Sequence, residues 1–297
     1  MTGAAILAPS LLALGAAFCF ALALILTQYG LRTVPSWRSP LYTIVSSMVA
    51  AWLAAAIFVD WRGFDWWAAL IFAGVGCIFP VMVSILAVRS NERLGPAIAG
   101  AVGNVTPLFA VLGAVLFLGE RLGLGQAIGL ALIVAGVVLM ALRGGAGGRQ
   151  WRVWVLALPL AAAVIRGAIQ PVIKTGLALW PEPLAAAAIG YSLSTVVILA
   201  LVGRRARAAG PAHRTGFLWF VGVGLSNGTA TFLLYAALGL GSITLVAPLV
   251  AVFPLIAVVM SYLFLRDEKL QALGLVGVLV SVAGVILLLL GSERVAS

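Results

Sequence analysis

The stretch "VIRGAIQPVIKTG", Val164 to Gly176, sets Arg166, Gln170 and Lys174 four residues apart in an otherwise apolar run. On a helix that spacing puts all three side chains on one face. A guanidinium held there offers paired donors to the carboxylate of an amino acid or to another organic anion. Two other roles for Arg166 stand beside solute contact: hydrogen bonding to carbonyls of a neighbouring helix, or snorkelling to the membrane rim. Arg166 lies fourteen residues after Arg152, about 21 Å along a helix, which places it nearer one face of a bilayer. Lys174, further along, reads as an interfacial anchor.

Other polar residues fall inside apolar runs, where each is costly unless it faces protein or water. Asn104 and Thr106, and Ser226, Asn227, Thr229 and Thr231, carry neutral hydrogen-bonding groups. Asn104 and Asn227 are candidates for solute contact, against the common alternative of gluing helices together. Tyr42, Tyr191 and Tyr235 offer an aromatic wall and a hydroxyl, against simple core packing. Pro107, Pro171 and Pro254 are candidate hinge or gate positions, because each deletes a backbone donor; Pro80 and Pro248 also fall within apolar runs.

These residues must be positioned by membrane-spanning helices. Of 297 residues, 64% are hydrophobic and 9% charged, with a mean hydropathy of +1.20. Apolar runs long enough to cross a hydrocarbon core of about 30 Å occur at 10–30, 40–59, 66–88, 95–118, 125–142, 153–173, 183–203, 215–237, 241–265 and 271–290. The sequence therefore predicts an all-α membrane protein with ten transmembrane helices and no soluble domain. The first run lacks a basic leader and a cleavage site, and is expected to stay as a membrane helix. Eight of the nine tryptophans, all but Trp52, lie near span ends, as an interfacial belt would.

Catalysis finds little support. His213 is the one histidine, no cluster of metal-ligating residues is visible, and Cys19 and Cys77 fall in apolar runs; neither an enzyme, a metal nor a cofactor is expected. The net charge of +10 sits at span ends and short loops, so it reads as topology signal and not as a nucleic-acid surface. Thirteen basic residues fall on one side: Arg32, Arg38, Arg89, Arg93, Arg143, Arg149, Arg152, Arg204, Arg205, Arg207, Arg214, Arg266 and Lys269. Arg62, Arg121, Lys174 and Arg294 fall on the other. This predicts a cytoplasmic basic face and both termini outside or in the periplasm. All eight acidic residues, Asp60, Asp65, Glu92, Glu120, Glu182, Asp267, Glu268 and Glu293, lie in loops or at span ends.

The chain also repeats. "LGPAIAGAVGNVTPLFAVLGAVLFLGERL" from Leu94 overlays "LGSITLVAPLVAVFPLIAVVMSYLFLRDEKL" from Leu240, matching Pro107 to Pro254. "GLALIVAGVV" from Gly129 matches "GVLVSVAGVI" from Gly277, and, more weakly, "AGVG" at 73–76 matches "VGVG" at 221–224. Copies of five helices have opposite orientations, which is an inverted repeat of the kind that surrounds a midplane solute site in secondary transporters. The expected organisation is a first five-helix repeat over 1–142, a basic Gly-rich linker over 143–152 and a second repeat over 153–297.

Ten helices, two repeats and the "LGERL" and "RDEKL" turns resemble the drug/metabolite transporter superfamily, in its EamA branch, over essentially the whole chain. The resemblance implies helices around a central cavity and export of small metabolites across the bacterial inner membrane. It looks closest to amino-acid and metabolite exporters of that branch, including those for aromatic amino acids. Small multidrug transporters resembling half of this fold carry a membrane-embedded glutamate, which has no counterpart here, so a facilitated carrier is expected. Drug, nucleotide-sugar or organic-anion transport and lipid flipping are the alternatives. The expected partners are a small-molecule solute and the lipid bilayer; nucleic acid is not, and oligomerisation is not required.

Overall fold

The computed structural model describes residues 3–94, 103, 105–142, 153–210, 213–264 and 272–296. Among these the regular structure is helical throughout, without a strand. The helices are α1 (Gly3–Leu31), α2 (Ser39–Phe58), α3 (Trp66–Ile78), α4 (Val81–Leu94), α5 (Thr106–Leu118), α6 (Leu124–Leu142), α7 (Ala157–Leu179), α8 (Pro183–Ala208), α9 (Arg214–Leu240), α10 (Ile243–Val250), α11 (Phe253–Phe264) and α12 (Ala272–Ala296). Six apolar helical segments are long enough to span a membrane: Ile6–Leu31, Ser36–Phe58, Trp66–Ala87, Trp154–Leu179, Pro183–Ala208 and Arg214–Leu240. Four shorter apolar stretches, Thr106–Leu118, Leu124–Gly136, Ile243–Ala257 and Val282–Gly291, accompany them.

Two runs that the sequence presents as continuous are broken. Phe79 leaves helical geometry at φ −107°, ψ 138°, Pro80 supplies no amide hydrogen, and α4 starts afresh at Val81. Backbone carbonyls freed inside a membrane need a donor. The Ser194 hydroxyl supplies one, reaching Gly76 O at 2.7 Å and Phe79 O at 3.0 Å. The second break falls at Ala251 and Val252, between α10 and α11. Pro107 and Pro254 both sit in the second position of a new helix, α5 or α11. They start helices rather than bend them, as proline's fixed φ and missing donor favour.

The helices pack mainly through small residues. The principal pairings are α6 with α12, α1 with α9, α2 with α8 and α9, α3 with α7 and α8, α5 with α7 and α10, α4 with α7, and α1 with α10 and α11. At the α6–α12 crossing, a Cβ on Gly129 would lie 2.7 Å from Gly284 O, and one on Gly284 would lie 2.8 Å from Gly129 O. Each obstacle is backbone, which cannot swing aside. Gly129→Ala is therefore expected to destabilise the protein by about 1–2 kcal/mol. Thermal unfolding in detergent checks this; an unchanged midpoint would show that the two helices can separate at no cost.

Candidate functional site

Glycine contacts set the position of Arg166. A Cβ on Gly167 would lie 2.6 Å from Phe109 Cβ and 2.9 Å from Thr106 O, and one on Gly113 would lie 2.9 Å from Pro171 Cγ. So α7 lies directly on the start of α5, with Arg166 beside Thr106 and Pro107. Arg166 is twelve residues from Trp154 and thirteen from Leu179 within the span Trp154–Leu179, about 18 and 20 Å along the helix. It sits at the middle of that segment. The run read from the sequence over 153–173 stops short, because the helical segment continues to Leu179.

Around this point the helices enclose a cavity of about 270 Å³. Arg166 and Gln170 of α7, Tyr191 of α8, Asn227 and Thr231 of α9, Thr27 of α1, Thr43 of α2, Ser84 of α4 and Thr106 and Pro107 of α5 form its polar and proline lining. Phe20, Phe79 and Phe253 add aromatic faces. Both helix breaks open on it, through Phe79 and Pro80 and through Ala251 and Phe253. No carboxylate lines it among the described residues.

Arg166 has no hydrogen-bond or ion-pair partner among the described residues, and the buried Gln170 Oε1 has none either. An unpaired cation in this setting costs several kcal/mol, as does an orphaned amide oxygen on a smaller scale. Tyr191 by contrast is held: its hydroxyl lies 2.9 Å from Thr231 Oγ1 and 3.4 Å from Asn227 O. The cavity thus combines a free guanidinium and a free acceptor with a fixed phenol.

The other candidate residues separate. Tyr235 is buried in the hydrophobic core and is not among the cavity's lining residues. Tyr42 lines a different pocket and meets Phe217 edge to face at 5.4 Å. Both pack against apolar clusters, which an aromatic in an apolar run cannot reveal in advance. Pro171 is buried against Gly113, and Pro254 lies in the first turn of α11, whose Phe253 reaches the cavity. Asn104 lies outside the described residues.

Sequence reading missed a clamp at the far end of α7. Lys174 is not a free anchor: its Nζ lies 2.7 Å from Glu120 Oε1 and donates to Gly241 O, also at 2.7 Å. Glu120 in turn accepts from the amides of Ile243 and Thr244, each at 3.0 Å, at the first turn of α10. A carboxylate on that helix start complements its dipole. Gly119 makes this possible by adopting φ 65° after α5, turning the chain so that Glu120 N–H donates back to Ala114 O. Burial pushes the Glu120 carboxyl up, but Lys174 and the two amides outweigh it and hold it below the ordinary carboxylate value. The partners are 54 and more than 120 residues away in sequence, so only the "LGERL" turn hinted at it.

Residues 7–142 and 153–290 each match the EamA-like transporter family. The chain is 32% identical over 204 residues to a probable terminal-alkyne amino-acid exporter of Streptantibioticus cattleyicolor, a match covering 65% of each protein. It is 33% identical over 120 residues to the nicotine metabolites export pump subunit NepA of Paenarthrobacter nicotinovorans, covering 40% of this chain and 97% of NepA. A protein of known crystal structure superposes with a TM-score of 0.76 over 97% of this chain and 99% of its own, at 18% identity, a likeness of fold. With both halves matched, the chain belongs to the EamA-like transporter family.

Proposed function

We propose that the protein is a ten-helix secondary carrier that exports small zwitterionic metabolites, amino acids foremost, through the cavity around Arg166. The observation that carries this reading is the free guanidinium of Arg166 in a cavity that no described carboxylate lines. A solute carboxylate would take the paired donors of Arg166, with the N-terminal end of α5 beside it adding favourable dipole charge. The solute ammonium would take the unpaired Gln170 Oε1 and the C-terminal end of α10 at Val250 and Ala251, both on the cavity wall. This is how broken helices serve charged solutes in other carriers. A volume of about 270 Å³ suits a small solute with an apolar side chain against Phe20, Phe79 and Phe253 better than a nucleotide sugar. The exporter names of the two relatives support the direction, and the amino acid named for one of them supports the solute class.

The packing supports the inverted repeat. Take α1, α2, α3–α4, α5 and α6 as one half, and α7, α8, α9, α10–α11 and α12 as the other. Exchanging the halves turns α1–α9 into α7 with α3–α4, α2–α9 into α8–α3, and α1 with α10–α11 into α7–α5; all are contacts. The pairs α2–α8, α5–α10 and α6–α12 map onto themselves. Gly76 and Gly224 occupy matching crossings, where a Cβ on either would collide with α8 or α2, and their carbonyls accept from Ser194 and Ser47. Such a frame allows alternating access by rocking one half against the other. The charge asymmetry supports a cytoplasmic-membrane orientation with the Arg38 face inside and the termini outside. A cavity that no described carboxylate lines supports facilitated diffusion rather than proton antiport.

The test is efflux from proteoliposomes loaded with a neutral amino acid, its decarboxylated amine or its deaminated acid. Faster release of the zwitterion than of either analogue, unaffected by a pH gradient, is the expected result. Release of none of the three, or a strict need for the gradient, would overturn the solute or the coupling assignment.

A further inference from the structure

Away from the cavity, on the arginine-rich face, lies a second pocket of about 390 Å³, lined in part by Arg38, Arg204, Arg207, Tyr42, Leu41 and Leu199. Arg38 is the buried arginine of this lining. Arg38 is 6% exposed, and its guanidinium donates to Ala206 O in the last turn of α8 at 2.7 Å and to Gly210 O just beyond that helix. Its Nε, equally buried, has no partner. The side chains of Arg204 and Arg207, on either side of Ala206 near the end of α8, have no hydrogen bond or ion pair among the described residues. Arg205 is occupied elsewhere, lying 4.4 Å over the Trp37 ring.

Three guanidiniums, two of them uncommitted, thus converge where no described acid answers them. Leu41 and Leu199 add apolar lining beside them. Leu199, 49% exposed, lies five residues before Arg204, about 7.5 Å deeper along α8. A free phosphate would gain from the arginines alone, whereas a lipid would also lay an acyl chain along Leu199. We propose that this pocket is a binding site for the headgroup of an anionic phospholipid, its phosphate held by Arg204 and Arg207 over Arg38 and its chain along the outer face of α8. The chemistry is that of bidentate arginine–phosphate pairs and of basic interhelical pockets on the cytoplasmic side of membrane proteins. Occupancy would brace α2 against α8, the pair that Arg38 already joins.

The test uses the whole protein in nanodiscs of phosphatidylcholine with increasing phosphatidylglycerol, with bound lipid counted by native mass spectrometry and the melting temperature followed. Arg204→Ala with Arg207→Ala removes two charges but leaves Arg38 and its helix cap intact. Arg32→Ala with Arg214→Ala removes two charges from the same face outside the pocket. The expected result is a retained phosphatidylglycerol and a higher melting temperature in wild type and in the second variant, with apparent affinity at least about tenfold weaker in the first. Equal weakening in both variants would reduce the effect to diffuse surface charge and overturn the proposal. Equal protection by inorganic phosphate or glycerol phosphate in phosphatidylcholine would overturn the lipid assignment in favour of a soluble phosphate ligand.

Discussion

Arg166→Ala is expected to cut amino-acid efflux by about 10–100-fold at subsaturating solute, the range that loss of hydrogen bonds to a charged group implies. Arg166→Lys should fall between, since it keeps the charge and loses the planar fork. The accompanying stability change separates this role from a structural one. Arg166 has no protein partner among the described residues, so truncating it removes an uncompensated cation from a low-dielectric cavity. The melting temperature of Arg166→Ala should hold or rise. A helix-gluing arginine would instead lose its bonds, and the melting temperature would fall while efflux suffered only in proportion to folded protein. Proteoliposome efflux and thermal unfolding of the same preparations decide; normal efflux from Arg166→Ala would remove the residue from the pathway. Gln170→Leu should act in the same direction more weakly, because it withdraws one neutral acceptor.

These expectations show what kind of signal a sequence carries. Arg166, Gln170, Tyr191 and Asn227 stood out because a polar group within an apolar run has to find water or a partner, and the cavity they line supplies the space. Tyr42 and Tyr235 matched the same criterion and are not among the lining residues, since a phenol also packs well against apolar neighbours. The prolines were visible, but whether a proline bends a helix or begins a new one depends on its neighbours' dihedrals. Phe79 and the turn at Ala251 decided that. Gly76, Gly129 and Gly224 were visible as small residues, yet the helix each one meets is set by tertiary packing. The Glu120 clamp was least legible: all three partners of its carboxylate come from the second half of the chain, and a glutamate in a loop ordinarily means only solvent.

That clamp carries the second large effect. Glu120→Ala is expected to cost about 3 kcal/mol, the lower end for breaking a buried pair, because the Glu120 side chain is only 12% exposed but that of Lys174 is 27% exposed. It would leave Lys174 with Gly241 O alone and two amides of α10 without their acceptor. All eight residues of α10 are buried, and its far end lines the cavity through Ala247 and Val250. Loosening the pinned end should therefore slow efflux as well as lower the melting temperature. The pH dependence follows from the depressed carboxyl. Its folded value lies below the ordinary 4.5, so its contribution is complete above that value and disappears as pH falls through the folded one. The stability gap between wild type and Glu120→Gln should accordingly stay constant from neutral pH down to about 5 and close below it. Detergent melts across that range measure the gap. A gap that widened on acidification would mean that Glu120 is held protonated, and the clamp would then be a neutral hydrogen-bonded corner instead of an ion pair fastening α5, α7 and α10.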